Sequence, residues 1–327
     1  MNILITVGLV LLALCGAVYV WLMARYNRGR REVAASYAAM EPQVDSDQRL
    51  ELGEVERLSI LPLVDFYAAG QPAGLETEAG VAYLIRADDK TILFDLGYNR
   101  HGAEESPLLQ NMQRLGIDPG NVDFIVNSHP HMDHLSGSQW QSLAGRLAGK
   151  ALYATVALDK PGFDNRVVER PQALAPGVGT TGPLPVQLFT FGYTLEQSLV
   201  VNVAGKGLVV IVGCGHPGVE KIMRRTSQVF KQPIYGVIGG LHLLVAGDRS
   251  GMRLPMQKLL GSAEPPWQPG GEKAVFQAID ILKSYGVKLV SISAHDSCDW
   301  TLKTFADGFG DTYRRLRVGD EIKITSI

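Results

Sequence analysis

The sequence predicts an α/β protein in which two β-sheets pack against each other and helices cover their outer faces. Two runs of short apolar strands, in residues 58–156 and 186–324, alternate with segments of helical period. Strands interleaved with helices in this way are typical of layered α/β folds. Four of the seven histidines, moreover, stand just after a predicted strand, and side chains at strand ends commonly converge on one site. They are His129, His216, His242 and His295.

The first run holds five strands and two helices. The strands are predicted at residues 58–66, 81–85, 91–96, 122–126 and 151–156, and the helices at 107–115 and 140–147. A polar turn at residues 87–90 joins the second and third strands in a hairpin. The first helix carries apolar residues at helical spacing, and Gly116 ends it.

The second run repeats the alternation with longer helices. Strands are predicted at residues 186–191, 198–203, 208–212, 235–238, 289–292 and 321–324, and helices at 217–230, 272–285 and 300–308. Pro217 suits the first turn of its helix, and Gly286 ends the second one. Residues 247–271 are rich in glycine and proline and predict a long loop around Trp267. The sequence leaves three interpretations of this loop open, which are a lid over the site, a membrane-facing insertion and a solvated connection.

Composition narrows the functional class. The 327 residues carry a net charge of −2 without a basic stripe, which argues against a nucleic-acid partner. Three cysteines, Cys15, Cys214 and Cys298, are too few and too scattered for a disulfide framework.

The N-terminal segment predicts a membrane anchor. Residues 3–24 contain no charged side chain, and about 20 apolar residues span a bilayer core as a helix. Tyr19 and Trp21 lie where interfacial aromatic residues are common. An arginine cluster follows at Arg25, Arg28, Arg30 and Arg31. Positive residues favour the cytoplasmic side, so we expect a single-pass protein of the cell membrane with its catalytic domain in the cytoplasm.

Three alternatives to the anchor are a cleaved signal peptide, a lipid-modified Cys15 and a buried core helix. No lysine or arginine precedes the apolar run, which weakens the signal peptide. The expected division is therefore an anchor over residues 1–24, a juxtamembrane helix or linker over 25–55 and a catalytic domain over 56–327.

Residues 127–137 hold the densest group of chemically active side chains. Three imidazoles and a carboxylate occupy six positions, at His129, His131, Asp133 and His134. Imidazole and carboxylate are ligands that suit zinc or iron. The first two histidines alternate by two, so they point to the same side of an extended backbone, a spacing that no helical face explains. The alternative is a polar turn that holds three histidines by chance.

The pattern His-x-His-x-Asp-His resembles the two-metal signature of the metallo-β-lactamase superfamily. From residue 58 to 324, the order of motifs is similar to its dihydropteroate-synthase-like branch, which includes a methanopterin-pathway enzyme acting on a dihydropterin methyl pyrophosphate. The matching segments are 63–65, 93–97, 128–134, 196–199, 213–218 and 239–243. The resemblance implies an αββα sandwich of two mixed sheets with a binuclear site. It implies that His129, His131 and His216 hold one metal, and that Asp133, His134 and His295 hold the other.

Four further residues stand near these positions. Cys214 lies close to where many superfamily members have a bridging aspartate, and it is either a thiolate ligand or an inert buried cysteine. Asp95 is expected to hydrogen-bond the metal loop rather than bind metal. His242 is expected to contact substrate or to support the ligands. The branch usually has His-Cys-Thr-Gly at its last ligand, whereas this chain reads His295-Asp296-Ser297-Cys298.

The expected function is that of a membrane-anchored metal-dependent hydrolase. Two divalent ions, zinc first and iron or manganese otherwise, would acidify a bound water. The resulting metal-bound hydroxide would cleave an ester, phosphodiester, lactone or amide bond of a small molecule, with Asp133 as a metal ligand that orients it. The alternatives are a pterin-related transferase that displaces pyrophosphate, a catalytically silent ligand-binding protein, and iron-based oxygen chemistry. The last is disfavoured because His131 stands where such relatives carry a glutamate.

Overall fold

Seven strands form the first β-sheet of the computed structural model, which describes residues 3–40, 49–137, 140–245, 261–265, 267–268 and 270–326. They are β1 (Arg57–Val64), β2 (Ala82–Ala87), β3 (Lys90–Phe94), β4 (Phe124–Val126), β5 (Ala151–Ala154), β6 (Asp164–Val167) and β15 (Ile322–Thr325). Their order across the sheet is β15-β1-β2-β3-β4-β5-β6. β15, β1, β2 and β3 pair antiparallel, and β3 to β6 pair parallel, so the sheet is mixed.

The second sheet has six strands and is also mixed. They are β7 (Gln172–Ala175), β8 (Val178–Thr180), β11 (Leu199–Val203), β12 (Gly207–Val212), β13 (Ile234–Gly239) and β14 (Leu289–Ile292). Their order is β14-β13-β12-β11-β8-β7, and the β12, β13 and β14 strands run parallel. A separate hairpin is formed by β9 (Leu184–Leu188) and β10 (Gly192–Glu196).

Six α-helices complete the described structure. They are α1 (Ile3–Met40), α2 (Pro107–Arg114), α3 (Trp140–Arg146), α4 (Val219–Val229), α5 (Glu272–Ser284) and α6 (Asp299–Phe309). The start of α2 is fixed locally, because the Ser106 hydroxyl accepts a hydrogen bond from the Leu109 amide and Pro107 occupies the first turn.

The core is divided into three apolar layers, which confirms the predicted αββα sandwich. Along β12, Val209 and Ile211 pack between the sheets, whereas Val210 and Val212 face the helices of the second sheet. This alternation follows from the two-residue period of a strand. The outer layers place α2 and α3 on the first sheet, and α4, α5 and α6 on the second.

The N-terminal helix α1 is longer than the predicted anchor. It continues without interruption to Met40, so the part of the juxtamembrane segment before residue 41 is helical; residues 41–48 lie outside the described structure. Tyr26, Gly29 and Val33 form a buried stripe at helical spacing in its second half. A Cβ atom on Gly29 would collide with the end of the Gln187 side chain of β9, so a larger residue here would have to displace that side chain.

The packed part of the chain begins before the expected boundary at residue 56. Leu52 and Val55 are buried in the core, and isolated bridges join Leu50 to Phe230 and Val55 to Val203. These apolar residues are separated by charged ones, so their short run carries no clear strand period.

Four strands, β6, β7, β8 and β10, are absent from the sequence prediction. Every residue of β6 is exposed, and the strand lies at a sheet edge, where no apolar alternation is required. β8 has only three residues, too few to show a period. The predicted long loop lies largely outside the described structure, which omits residues 246–260, 266 and 269.

The chain order places the four strand-terminal histidines at one end of the sandwich. β4 is parallel to β3 and β5, and β12, β13 and β14 are parallel to one another. The segments that follow β4, β12, β13 and β14 therefore meet at the carboxyl ends of the two sheets, where loops can build a site.

Candidate metal centre

A tight turn after β4 presents the first four candidate ligands. His131 precedes a short 3₁₀ turn over Met132–His134, so the backbone is extended up to His131 and then bends. His129 and His134 are fully buried, while His131 and Asp133 are partly exposed toward the mouth of the site. The bend thus lets groups from both sides of the turn face one point.

One three-residue group joins this turn to the loop after β12. Ligand atoms of His129, His131 and His216 all lie within 4.8 Å of one another, and His129 Nε2 is 3.0 Å from His131 Nδ1. Two nitrogens on a tetrahedral zinc ion are about 3.4 Å apart, given bonds of about 2.0–2.1 Å. Neither ring nitrogen of His216 has a hydrogen-bond partner among the described residues, although both are buried. A metal ion would satisfy this orphaned polar group, so the residues fit such an ion.

A second group lies beside the first and uses the loop after β14. Ligand atoms of Asp133, His134 and His295 lie within 4.8 Å of one another, with His295 Nε2 at 3.4 Å from Asp133 Oδ2. The ring centroids of His129 and His134 are 4.2 Å apart, so the two groups are adjacent. All six residues that the resemblance assigns as ligands are thus brought together in two groups of three.

Cys214 lies between the two groups. Its Sγ atom is 3.0 Å from His134 Nε2 and 3.4 Å from His295 Nε2. Together with His129 and His134 it forms a third set of atoms that could hold a metal ion. Burial raises the pKa of the thiol well above its ordinary value, and the nearby carboxylates raise it further. The site without metal therefore holds a protonated thiol.

Asp95 orients the metal loop. Its Oδ2 atom accepts hydrogen bonds from His134 Nδ1 and Ser128 Oγ, both at 2.7 Å, and its Oδ1 atom accepts from the Ser128 amide at 2.7 Å. With Nδ1 engaged, His134 presents Nε2 to the site. Burial lowers the pKa of His134, but Asp95 and Asp133 outweigh it and raise that pKa to about 9.

Glu196 at the end of β10 fixes the loop that carries Cys214 and His216. Its carboxylate accepts hydrogen bonds from the backbone amides of Cys214, Gly215 and His216 at 2.7–3.1 Å. Burial raises the pKa of Glu196 to about 7, against these hydrogen bonds, which lower it. The loop approaches the metal turn closely, since a Cβ on Gly213 would collide with Ser128 Oγ.

Asp65, which follows β1, fixes the loop that carries His295. Its carboxylate accepts from the Ser293 hydroxyl at 2.7 Å, and that hydroxyl accepts from the His295 amide at 3.0 Å. Burial raises the pKa of Asp65 to about 6. Neither Asp65 nor Glu196 was assigned a role from sequence, although both lie in segments that carry the family resemblance. Their signal is a carboxylate at or just after the end of a strand, which is too common to stand out alone.

His242 lies against the first group without joining it. Its ring is 4.7 Å from that of His216, and neither of its ring nitrogens is paired within the described part of the chain. Its backbone amide donates to Asp296 Oδ2 at 2.9 Å, and its φ of 50° lies in the left-handed region, which is unusual for histidine. Asp296, next to the candidate ligand His295, therefore holds His242 over the site.

The other imidazoles are held in the neutral form that binds metal. Burial lowers the pKa of His129 and His216 well below the ordinary value, and neighbouring histidines lower it further. Burial also lowers the pKa of His131, His242 and His295 to about 4. At neutral pH each of these rings is uncharged and keeps one nitrogen lone pair, so the group can bind a cation without first losing protons.

A comparison with protein families matches a little under half of the chain. Residues 75–223, which contain the metal turn, Cys214 and His216, match the family model described as the metallo-β-lactamase superfamily. Together with the αββα architecture described above, this match shows that the chain has the metallo-β-lactamase fold.

Two curated relatives of this chain come from Methanocaldococcus jannaschii. The 7,8-dihydropterin-6-methyl-4-(beta-D-ribofuranosyl)-aminobenzene-5'-phosphate synthase is 25% identical over 322 residues, covering 84% of this chain and 99% of the relative. An uncharacterized protein of the same organism is 25% identical over 202 residues, covering 52% of this chain and 74% of the relative.

Solved structures share the metallo-β-lactamase fold with this chain. A metal-dependent hydrolase of the β-lactamase superfamily has a TM-score of 0.57 and 21% identity, covering 82% of this chain and all of its own. The metallo-β-lactamase fold protein YhfI from Bacillus subtilis has a TM-score of 0.51 and 13% identity over similar shares. At these identities the similarity establishes the fold alone.

Proposed function

We propose that this protein is a metal-dependent hydrolase that cleaves an ester, phosphodiester, lactone or amide bond of a small molecule. The observation that carries the proposal is the pair of three-residue groups at one end of the sandwich. Each group offers three ligand atoms within 4.8 Å, and both buried nitrogens of His216 lack a partner in the described structure. Such a donor set suits two zinc ions, and iron or manganese are the alternatives.

Two divalent ions held here would supply a Lewis acid and an acidified water for attack on an electrophilic carbon or phosphorus. The chain itself sets the geometry. Asp95 engages Nδ1 of His134, so Nε2 faces the site and would offer its lone pair once a metal ion displaces the proton there. Asp133 is partly exposed at the mouth and lies against His295, where it would bind metal and orient the attacking water. His242 is held over the first group, within reach of a bound substrate.

A pterin-related transferase that displaces pyrophosphate is the second candidate. The supporting observation is the match to a pterin synthase over 99% of that relative's length. The two candidates differ in their acceptor, which is water in one case and an aryl partner in the other. Product analysis with a pterin pyrophosphate, in the presence and absence of an arylamine, separates them.

The proposed function is tested by metal analysis joined to a substrate panel. The full chain should hold two equivalents of metal and hydrolyse at least one phosphodiester, lactone or pterin-like compound. His129→Ala should lose metal and activity, because it removes a ligand of the first group whose ring also lies against His134 of the second. His101→Ala, at an exposed histidine, is the matched control. A purified protein that holds no metal, or a His129→Ala variant of unchanged activity, contradicts the proposal.

We further propose that residues 3–24 anchor the protein in a membrane, with residues 25–55 leading into a catalytic domain over residues 56–327. One described helix is long and apolar enough to cross a bilayer, and its apolar window is not buried in the protein. The second half of this helix packs on the β9–β10 hairpin, which supports retention of the segment rather than its cleavage.

The arginines that follow residue 24 favour a cytoplasmic domain. Proteolysis of intact spheroplasts should therefore spare the domain, and proteolysis after lysis should degrade it. Full digestion from outside would contradict this orientation.

A further inference from the structure

The mouth of the candidate metal centre adjoins the point where α1 leaves the domain. Phe191, at the tip of the β9–β10 hairpin, lies with its ring centroid 5.3 Å from that of His131. Phe189 in the same tip contacts the Tyr26 ring of α1 at 5.3 Å, and the Arg25 guanidinium donates to the Phe189 carbonyl at 3.4 Å. The hairpin tip therefore links a candidate ligand directly to the helix.

A second segment makes the same connection on the other side of the site. Gly261 lies against His242, since a Cβ atom there would be 2.7 Å from that imidazole. Two residues later, a carbonyl accepts a hydrogen bond from the Tyr26 hydroxyl at 2.7 Å. Trp267 then contacts the Tyr19 ring of α1, with centroids 5.7 Å apart. The segment thus runs from the site to the apolar half of the helix.

Large apolar side chains are exposed along this path. Met132, Phe191 and Trp267, here called the mouth patch, are 58%, 56% and 51% exposed. Tyr19 and Trp21 on the neighbouring part of α1 are 51% and 59% exposed. Exposed aromatic residues grouped beside a membrane-spanning segment are typical of contact with the bilayer interface.

The residue of α1 that Trp267 contacts sets the depth of the Trp267 ring relative to the membrane. Tyr19 precedes Arg25 by six residues, which is about 9 Å along a helix. Because Trp267 contacts Tyr19, its ring lies at the level of the uncharged residues 3–24 rather than at the level of the arginines. In an anchored protein this level corresponds to the boundary between lipid headgroups and acyl chains.

We propose that the site opens onto the membrane surface and takes a lipid ester or phosphodiester, whose chains stay in the bilayer while its polar linkage enters between His131 and His242. This proposal rests on the proposed hydrolase function. Hydrolysis adds the oxygen of water to the acyl carbon or the phosphorus, breaks that atom's bond to the leaving oxygen, and transfers a proton to the leaving alcohol. The side chains of the mouth patch insert into the bilayer surface beside the substrate. There they replace the contacts with neighbouring lipids that the substrate loses when its headgroup enters the site.

The membrane contact is tested without any turnover. The full chain is placed in bilayers with brominated lipids, in a Trp21→Phe background, and tryptophan quenching is measured. Quenching should be largely lost when Trp267→Phe is added and retained when Trp300→Phe is added instead, because Trp300 lies on α6. Equal quenching with and without Trp267 overturns the proposed contact.

The substrate class is tested with a matched pair of phosphodiesters and a matched pair of esters, each long-chained in vesicles or short-chained in solution. For the metal-loaded full chain, Trp267→Ala should lower turnover of the vesicle substrate about tenfold, which corresponds to about 1.4 kcal/mol. Turnover of the soluble analogue should change less than twofold. Phe276→Ala removes an aromatic residue on α5 that is 50% exposed, and it should change neither rate.

The outcomes separate the two proposals. A loss on vesicle substrate alone supports entry from the membrane. An equal effect of Trp267→Ala on both forms, or none on either, overturns it while leaving the hydrolase function in place. Turnover of none of the four substrates, at full metal loading, counts against the hydrolase function and overturns the substrate class, whatever the quenching shows.

Discussion

At the scale of single residues, buried carboxylates decide how the candidate ligands are aimed. Asp95, Glu196 and Asp65 each hold one of the three loops that carry candidate metal ligands, and each does so through hydrogen bonds from hydroxyl or backbone donors. The candidate ligands could be named from their spacing and from the family resemblance. The roles of Glu196 and Asp65 could not, because their partners lie 18 or more residues away and follow no period.

Asp95→Asn tests the support of the metal loop. Asparagine tolerates the positive φ of 59° at this position, so the backbone should be preserved. The neutral amide is a weaker acceptor for His134 Nδ1, and loss of such a partner typically reduces metal affinity about 10–100-fold. Competition with a chelating dye measures this loss. Asp89→Asn, in the exposed hairpin turn, should leave the affinity unchanged, and an unchanged affinity in Asp95→Asn would show that its carboxylate is not needed.

Glu196 should make the metal-free protein less stable as pH rises. Its pKa is about 7 in the folded chain against an ordinary value of 4.5, so its contribution is present below pH 4.5 and lost as pH rises through 7. The loss is on the order of 3 kcal/mol. Urea unfolding in the presence of chelator should therefore show the stability of the parent chain falling relative to Glu196→Gln between these values.

Glu220→Gln, on the exposed side of α4, reports the general effect of removing a carboxylate. If the free energies of unfolding of the parent chain and of Glu196→Gln changed with pH in the same way, the raised pKa of Glu196 would be contradicted.

At the scale of secondary-structure elements, the period of apolar residues predicts the strands and helices that face a core. It does not predict the elements that lack a core-facing side. Strands such as β12 alternate between two apolar layers, and their bounds follow from sequence to within a residue or two. β6 has polar, exposed residues and exists because β5 offers it an edge to pair with. The second half of α1 holds five charged residues and then an alanine-rich stretch, so only its narrow buried stripe shows that it docks on the domain.

The docking of α1 depends on Gly29. A leucine there would collide with Gln187, whose amide donates to the Leu188 carbonyl and is therefore restrained. Gly29→Leu should lower the free energy of unfolding by about 1–3 kcal/mol, the usual range for overpacking. Unfolding in detergent micelles measures the effect. Gly16→Leu is the matched control, because nothing lies within 4 Å of the Cβ position there, and an equal response of both variants would exclude a docking role.

At the scale of the whole molecule, the candidate metal centre joins the two sheets. His129, His131, Asp133 and His134 follow β4 of the first sheet, whereas His216 and His295 follow β12 and β14 of the second. The convergence could be expected from the strand ends, but the partnering of Cys214 with both groups depends on how the sheets are stacked. No local pattern in the sequence encodes that stacking.

Metal removal should therefore weaken the whole fold. An ion that binds only the folded state at a thousand times its Kd contributes about 4 kcal/mol. For a domain of this size, that energy corresponds to a Tm change of about 10 °C. Chelation should lower the Tm by this amount, and added zinc should restore it. The Tm of His216→Ala should no longer change on chelation, whereas the Tm of His101→Ala should change as in the parent chain. If chelation left the Tm of the parent chain unchanged, a metal cross-link between the sheets would be excluded.

Because α1 continues without interruption through residue 25, it also fixes the distance between the proposed membrane anchor and the candidate metal centre. Because α1 contacts the domain at Tyr19, through Trp267, and from Arg25 onward, through the hairpin, the distance between the proposed anchor and the candidate metal centre is set by a residue count. Seven residues added just before Arg25 would make about two further turns and about 10 Å, and would return nearly the same helical face. In the proposed membrane-anchored protein, such a chain would keep its candidate metal ligands but lose the contact between Tyr19 and Trp267, and its site would lie too far from the bilayer to receive a lipid.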